Sequence, residues 1–293
     1  IALSRKIADE SVVLLKNENG LLPLDADKLH SIAVIGPNAA QVQFGDYTWS
    51  RDNKDGVTPL AGLQKLLGSK VAIHYAPGCS MMSEDTSLIP EAVAAAQKSE
   101  VALVFCGSSS ASLARDYSNT NCGEGFDLHD LNLTGAQGEL IKAVYATGTP
   151  VVLVLQSGRP VTANWENDHL PAILEAWFPG EQGGTAIAKT LFGDAAPGGR
   201  LPITFPRSVG QIPCHYSRRP GGGKRYVEMD WLPLYPFGYG LTYTTFAYRD
   251  MALSRSVIDP QDTVTVSVTV TNTGKYTGDA VPQLYVRDMF LSL

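Results

Sequence analysis

The feature of this sequence best placed to do chemistry is a carboxylate set between two glycines, Gly123-Glu124-Gly125, followed by Phe126-Asp127. Flanking glycines let the backbone bend sharply and approach a ligand closely. Glu124 is therefore a candidate proton donor. The competing reading is an ordinary solvated loop carboxylate, the usual condition of a charged side chain. Asp116 and Asp127 are rival acids on the same stretch, and Arg115 adds a cation that can bind polar groups or hold a carboxyl ionised.

The stretch from Gly107 to Leu133, rich in Ser, Asn, Gly and Asp, has to be held by its neighbours. It follows a buried-strand pattern, Val101 to Cys106, and precedes a helix pattern, Thr134 to Tyr145, with Thr134 as its expected cap. Connections in compact domains are usually about 4–6 residues, and much longer ones tend to be functional. The carboxyl end of a parallel strand is also where open α/β sheets place their ligands.

The rest of the chain supplies the sheet. Residues 1–15 read as a helix and 17–24 as a turn. Strands are expected at 31–35, 71–75, 151–155, 172–176 and 203–205, and helices at 59–67, 91–98 and 181–192. This alternation specifies an α/β fold, a mostly parallel sheet sandwiched by helices, over residues 1–206. Residues 207–245 are a linker of Pro, Gly and aromatic residues, including Leu234 to Tyr243. After Phe246 the period changes to two. Thr263 to Thr271 alternates polar and β-branched residues, and Val281 to Val286 is a further expected strand with Pro282 marking an edge. Residues 246–293 read as a partial β-sandwich.

Composition excludes several classes. A net charge of -6 without basic runs argues against nucleic acid as a partner. No apolar run approaches the roughly 18 residues of a membrane span. The four cysteines form no CxxC pair and the five histidines show no HExxH spacing, so no metal site and no cofactor is expected. No serine has the nucleophile-elbow spacing, and Gly36-Pro37-Asn38-Ala39 is not a dinucleotide fingerprint. Gly221-Gly-Gly-Lys224 lacks the Ser or Thr of a phosphate loop. The chain starts at Ile1 and stops soon after a strand-like segment, and reads as a piece of something longer.

Several stretches together resemble the C-terminal portion of glycoside hydrolase family 3, the β-glucosidase and β-xylosidase family. They are Ser11 to Asn17 with Leu21 to Leu24, Ile32 to Pro37, Gly45 to Tyr47, Gly123 to Asp127 with Leu131 to Leu140, Ala176 to Gly184, Gly198 to Pro206, and Pro236 to Tyr243. The resemblance implies an α/β sandwich followed by a fibronectin type III-like domain. It implies a retaining, exo-acting β-glycosidase acting on β-linked oligosaccharides or aryl glycosides. The Gly-Glu-Gly-aromatic segment places the general acid/base on Glu124. Arg115, Asp116 and Asp127 are candidate substrate contacts beside it, and Tyr47 and Trp49 either form a sugar-binding rim or pack the loop. Retaining enzymes need two carboxyl groups about 5–5.5 Å apart, and the acid needs partial burial or a neighbouring anion to stay protonated. In the family the nucleophilic aspartate lies in an N-terminal barrel, absent from these residues, so a barrel on the same or another chain is the implied partner. Asp46 is not read as that nucleophile, because Gly45-Asp46-Tyr47 matches this domain's own pattern. Export to the periplasm or the exterior is compatible with the resemblance. The alternative function is a non-catalytic carbohydrate-binding or scaffold module of the same fold. A nucleotide-binding protein is disfavoured by the missing glycine fingerprint.

Overall fold

A computed structural model describes residues 1–50, 52–110, 120–217, 225–287 and 289. Helix α1 (Ala2–Ser11) leads into strand β1 (Val13–Asn17). There follow β2 (Ser31–Ile35), α2 (Pro59–Leu67), β3 (Ala72–Ala76), α3 (Ile89–Gln97), β4 (Val101–Gly107), α4 (Gln137–Tyr145), β5 (Val151–Gln156), α5 (Asn164–His169), β6 (Ala172–Glu175) and α6 (Gly183–Phe192). The strands form one six-stranded sheet in the order β1-β6-β5-β4-β2-β3. Every neighbouring pair is parallel except β1 with β6, which is antiparallel.

Alternate residues of the central strands feed two apolar layers. Ala33, Ile35, Val104, Cys106, Leu153 and Leu155 face α3 and α4 through Ala92, Ala96, Leu140, Ile141 and Val144. Ile32, Val34, Leu103, Phe105, Val152 and Val154 face α2 and α6 through Leu63, Leu67, Ile187 and Leu191. Strands β4 and β5 are buried along their whole length. Such burial is why they read as continuous apolar runs, and each large aliphatic side chain there contributes about 1.5–3 kcal/mol.

Several expectations are corrected. The helix over 1–15 ends at Ser11, and the next residues form β1. Val12, Val13, Leu14 and Leu15 are almost fully buried, so sheet pairing with β6 overrides their helix-like spacing. Thr134 is not a cap, since α4 starts at Gln137; the Thr134 hydroxyl instead donates to the Met81 carbonyl at 2.8 Å. The segment 203–205 is no strand but a single antiparallel bridge, Phe205 to Tyr235. Helix α5 was unforeseen.

Residues 225–245 pack back onto the sheet through aromatic side chains. The Tyr235 hydroxyl donates to Asn167 at 2.8 Å, that of Tyr239 to the Leu15 carbonyl at 3.1 Å and that of Tyr243 to the Thr190 carbonyl at 2.7 Å. Beyond them β7 (Phe246–Leu253) and β8 (Val266–Asn272) pair antiparallel, with an irregularity between Arg249 and Ala252. Residues 281–286 form no strand. Gln283 instead donates through its side chain to the Gly238 carbonyl at 2.9 Å. The alternation of polar and β-branched residues does not bury one face of β8, most of whose residues are exposed.

Candidate active site

Strands β2 and β4 lie side by side, yet the chain leaves them toward opposite flanks, from β2 to β3 and from β4 to β5. Such a reversal opens a crevice beyond the carboxyl ends of the two strands. Glycines permit the close approach there. A Cβ at Gly36, with φ +114°, would meet the Phe105 carbonyl oxygen at 2.2 Å. One at Gly107, with φ +140°, would meet that of Gln156 at 2.2 Å. Buried Asn38 ties the strand ends together, donating to the carbonyls of Ser108 at 3.1 Å and Gln156 at 3.4 Å.

The loop after β4 is clasped where its two ends meet. The backbone of Ser109 donates to the Asn121 side chain at 2.8 Å, and the Asn121 backbone donates to the Ser109 carbonyl at 3.2 Å. The Asn121 amide also donates to the Thr134 hydroxyl at 2.7 Å. From α4, Gln137 brackets Gly107, accepting from its N–H at 2.8 Å and donating to its carbonyl at 3.2 Å. Gly123 and Gly125 both have positive φ, 127° and 80°. Between them a turn closes through the Phe126 N–H on the Gly123 carbonyl at 3.1 Å. The Arg159 guanidinium, from the loop after β5, donates to the Phe126 carbonyl at 3.0 Å.

This turn presents Glu124 to solvent. The partial burial expected of the acid is not seen in the isolated chain. The loop after β2 crosses to meet it. The Tyr47 hydroxyl donates to the Glu124 carboxylate, and the Ser110 hydroxyl donates to Asp46 one residue earlier. Tyr47 has φ 55°, a left-handed backbone uncommon in a bulky residue. The Glu124 carboxylate on its hydroxyl, with the charge of Asp46 adding to it, pushes the Tyr47 phenol above its ordinary value. A cleft of about 180 Å³ is lined by Phe44, Gly45, Met81, Ser109 and Ser110 among others.

The structure thus brings together two of the expected site residues, Glu124 and Tyr47. Trp49 and Asp127 are exposed on the same two loops. Arg115 and Asp116 lie outside the described residues. Sequence reasoning missed the Asp46–Ser110 latch and the support from Arg159. For Arg159 a signal existed, a cation just beyond the carboxyl end of a buried strand. It also missed Glu175, fully buried at the end of β6. Its carboxyl accepts from the N–H of Trp177 at 2.8 Å and of Ser157 at 3.4 Å, and burial pushes it well above the usual carboxylate range. Among the described residues no three His, Cys, Asp or Glu side chains converge to hold a metal ion. No described helix is long and apolar enough to cross a membrane.

The chain is similar over most of its length to known proteins. Residues 12–243 match the profile of the glycosyl hydrolase family 3 C-terminal domain. A β-xylosidase of Formosa agariphila is 45% identical over 98% of this chain and 40% of its own length. A periplasmic β-glucosidase of Salmonella typhimurium is 40% identical over 99% of this chain and 41% of its own. Among solved structures, a β-glucosidase from Erythrobacter marinus superposes with a TM-score of 0.83 at 40% identity, covering 93% of this chain and 39% of that one. A Listeria innocua β-glucosidase in complex with isofagomine gives 0.82 at 29% identity, covering 94% and 38%. The chain therefore spans about 40% of the length of the curated relatives it matches first.

Proposed function

The chain belongs to glycosyl hydrolase family 3, as its C-terminal domain, and we propose that it supplies the general acid/base, Glu124, to a retaining, exo-acting β-glycosidase. The nucleophilic aspartate comes from a barrel domain outside these residues. The observation that carries this reading is the position of Glu124. It lies on the loop after β4, at the switch point of the sheet, on a turn between two glycines, and is exposed to solvent. That the relatives are named β-xylosidase and β-glucosidase, and are more than twice as long, supports both the substrate class and the divided site.

In the first half-reaction Glu124 gives its proton to the glycosidic oxygen as the bond to the anomeric carbon breaks and the aspartate attacks. In the second it takes a proton from water, which displaces the aspartate. Trp49 and Tyr47 offer ring faces to the sugar, and Asp127, Arg115 and Asp116 bind hydroxyl groups. The division of the chain into a 1–206 sandwich, a 207–245 linker and a fibronectin type III-like segment from 246 belongs to this proposal. So does an exported or periplasmic location, in keeping with the name of the Salmonella relative.

The test is Glu124→Gln in the complete enzyme. Turnover of an unactivated β-linked disaccharide falls by about 10²–10⁴-fold, the range of general acid catalysis. An aryl glycoside with a good leaving group is affected less at the bond-breaking step. Unchanged disaccharide turnover would overturn the assignment.

A further inference from the structure

The geometry points to Tyr47 as a positioning residue that holds the Glu124 carboxyl in place for proton transfer, a role that rests on the acid/base reading above. The turn carrying Glu124 has a glycine on each side, and the side chain is exposed, so its own backbone restrains it little. The Tyr47 hydroxyl donates to that carboxylate from a different loop, 77 positions away in the chain.

The loop after β2 is built to make this reach. Gly45 turns with φ 88°, and Tyr47 follows in the left-handed region. A bulky residue persists in that region only where its surroundings fix it. Here the fixing contacts surround Tyr47. Asp46 is held by the Ser110 hydroxyl on the loop after β4, and the Thr48 hydroxyl donates to the Ser50 carbonyl at 2.9 Å. The Asp46–Ser110 and Tyr47–Glu124 pairs therefore lace the same two loops at adjacent residues. A tyrosine serving only as a sugar platform requires its ring face and no such latch.

The chemistry of a phenol suits the task. Glu124 and Asp46 are the charged groups, among the described residues, that act on the Tyr47 hydroxyl, and both keep its proton on. It remains a donor throughout the neutral range. As Glu124 hands its proton to the glycosidic oxygen, the charge left on the carboxylate strengthens the bond from Tyr47. That contact is stronger in the transition state than in the ground state, which is the condition for raising kcat. Tyr47 keeps its own proton throughout.

Two variants in the complete enzyme test this, each assayed on a β-linked disaccharide and on a dinitrophenyl glycoside. Tyr47→Phe should lower kcat on the disaccharide by about tenfold, the worth of one such hydrogen bond, with little change in KM or in the kcat/KM of the dinitrophenyl glycoside, which covers only the bond-breaking half-reaction. Added to Glu124→Gln, Tyr47→Phe should cost nothing more. Equal losses of kcat/KM on both substrates, or a loss seen mainly in KM, overturn the positioning role and leave the acid/base reading standing. If Glu124→Gln itself leaves disaccharide turnover intact, both readings fall. The chain by itself gives a measurement free of activity. By ¹³C NMR of the tyrosine ring carbons, Glu124→Gln should lower the pH at which Tyr47 ionises, and an unchanged midpoint overturns the contact.

Discussion

Glu175 closes β6 with a carboxyl that water does not reach. One of its oxygens accepts from two backbone N–H groups, and the other has no partner among the described residues. Desolvation dominates over those two bonds, so the folded state holds the proton to higher pH than the unfolded chain does. A group whose folded value is raised makes the protein less stable as pH climbs above the unfolded value, 4.5 for a glutamate. Within that window the fall approaches about 1.4 kcal/mol per pH unit. Glu175→Gln keeps an acceptor for Trp177 and Ser157 and cannot ionise. Its urea midpoint should lie at or below that of the parent near pH 4 and overtake it as pH rises toward 8. Two curves that run parallel over this range would show that Glu175 keeps the same proton in both states.

At the scale of elements, α2 and α6 are held by two glycines that no other residue can replace. A Cβ on Gly62 would meet the Gly184 carbonyl oxygen at 2.1 Å, and one on Gly184 would meet that of Thr58 at 2.1 Å. Both obstacles are backbone, so the helices would have to separate. Gly184→Ala should destabilise the fold by about 1–3 kcal/mol through overpacking. Gly138, on α4, has open space where its Cβ would go. Gly138→Ala should instead stabilise by about 0.5–1 kcal/mol, because alanine loses less backbone freedom in a helix. Chemical denaturation of the two variants tests both signs. The same close packing explains what could be read in advance. Strands β4 and β5 were legible because their apolar runs are buried on both faces. Strand β1 was not, because Val12 to Leu15 continue a helical spacing and find their partner only at β6, late in the chain. The short α5 has too few turns to establish a period. Glu124 stood out as a candidate from its glycines and from its place after a strand. Its partnership with Tyr47 was not legible, since that depends on the backbone turn after Gly45 and on a latch between residues 64 positions apart.

At the scale of the whole molecule, a retaining site requires a second carboxylate about 5–5.5 Å from the acid. Asp46 is the acidic residue next to Tyr47, and its carboxylate accepts from the Ser110 hydroxyl. Asp127 is exposed three residues beyond Glu124, across the turn closed by Phe126. The divided-site reading assigns the nucleophile to neither and takes it from outside these residues. The relatives carry more than half their length outside the part this chain matches. The purified chain should therefore leave aryl β-glucosides and β-xylosides unhydrolysed, while the complete enzyme turns them over. Release of nitrophenol by the chain alone, abolished by Glu124→Gln, would place a nucleophile within these 293 residues and overturn the divided site. An inert chain that regains activity when mixed with a family barrel domain would confirm that the missing aspartate arrives by docking against the loops after β2 and β4.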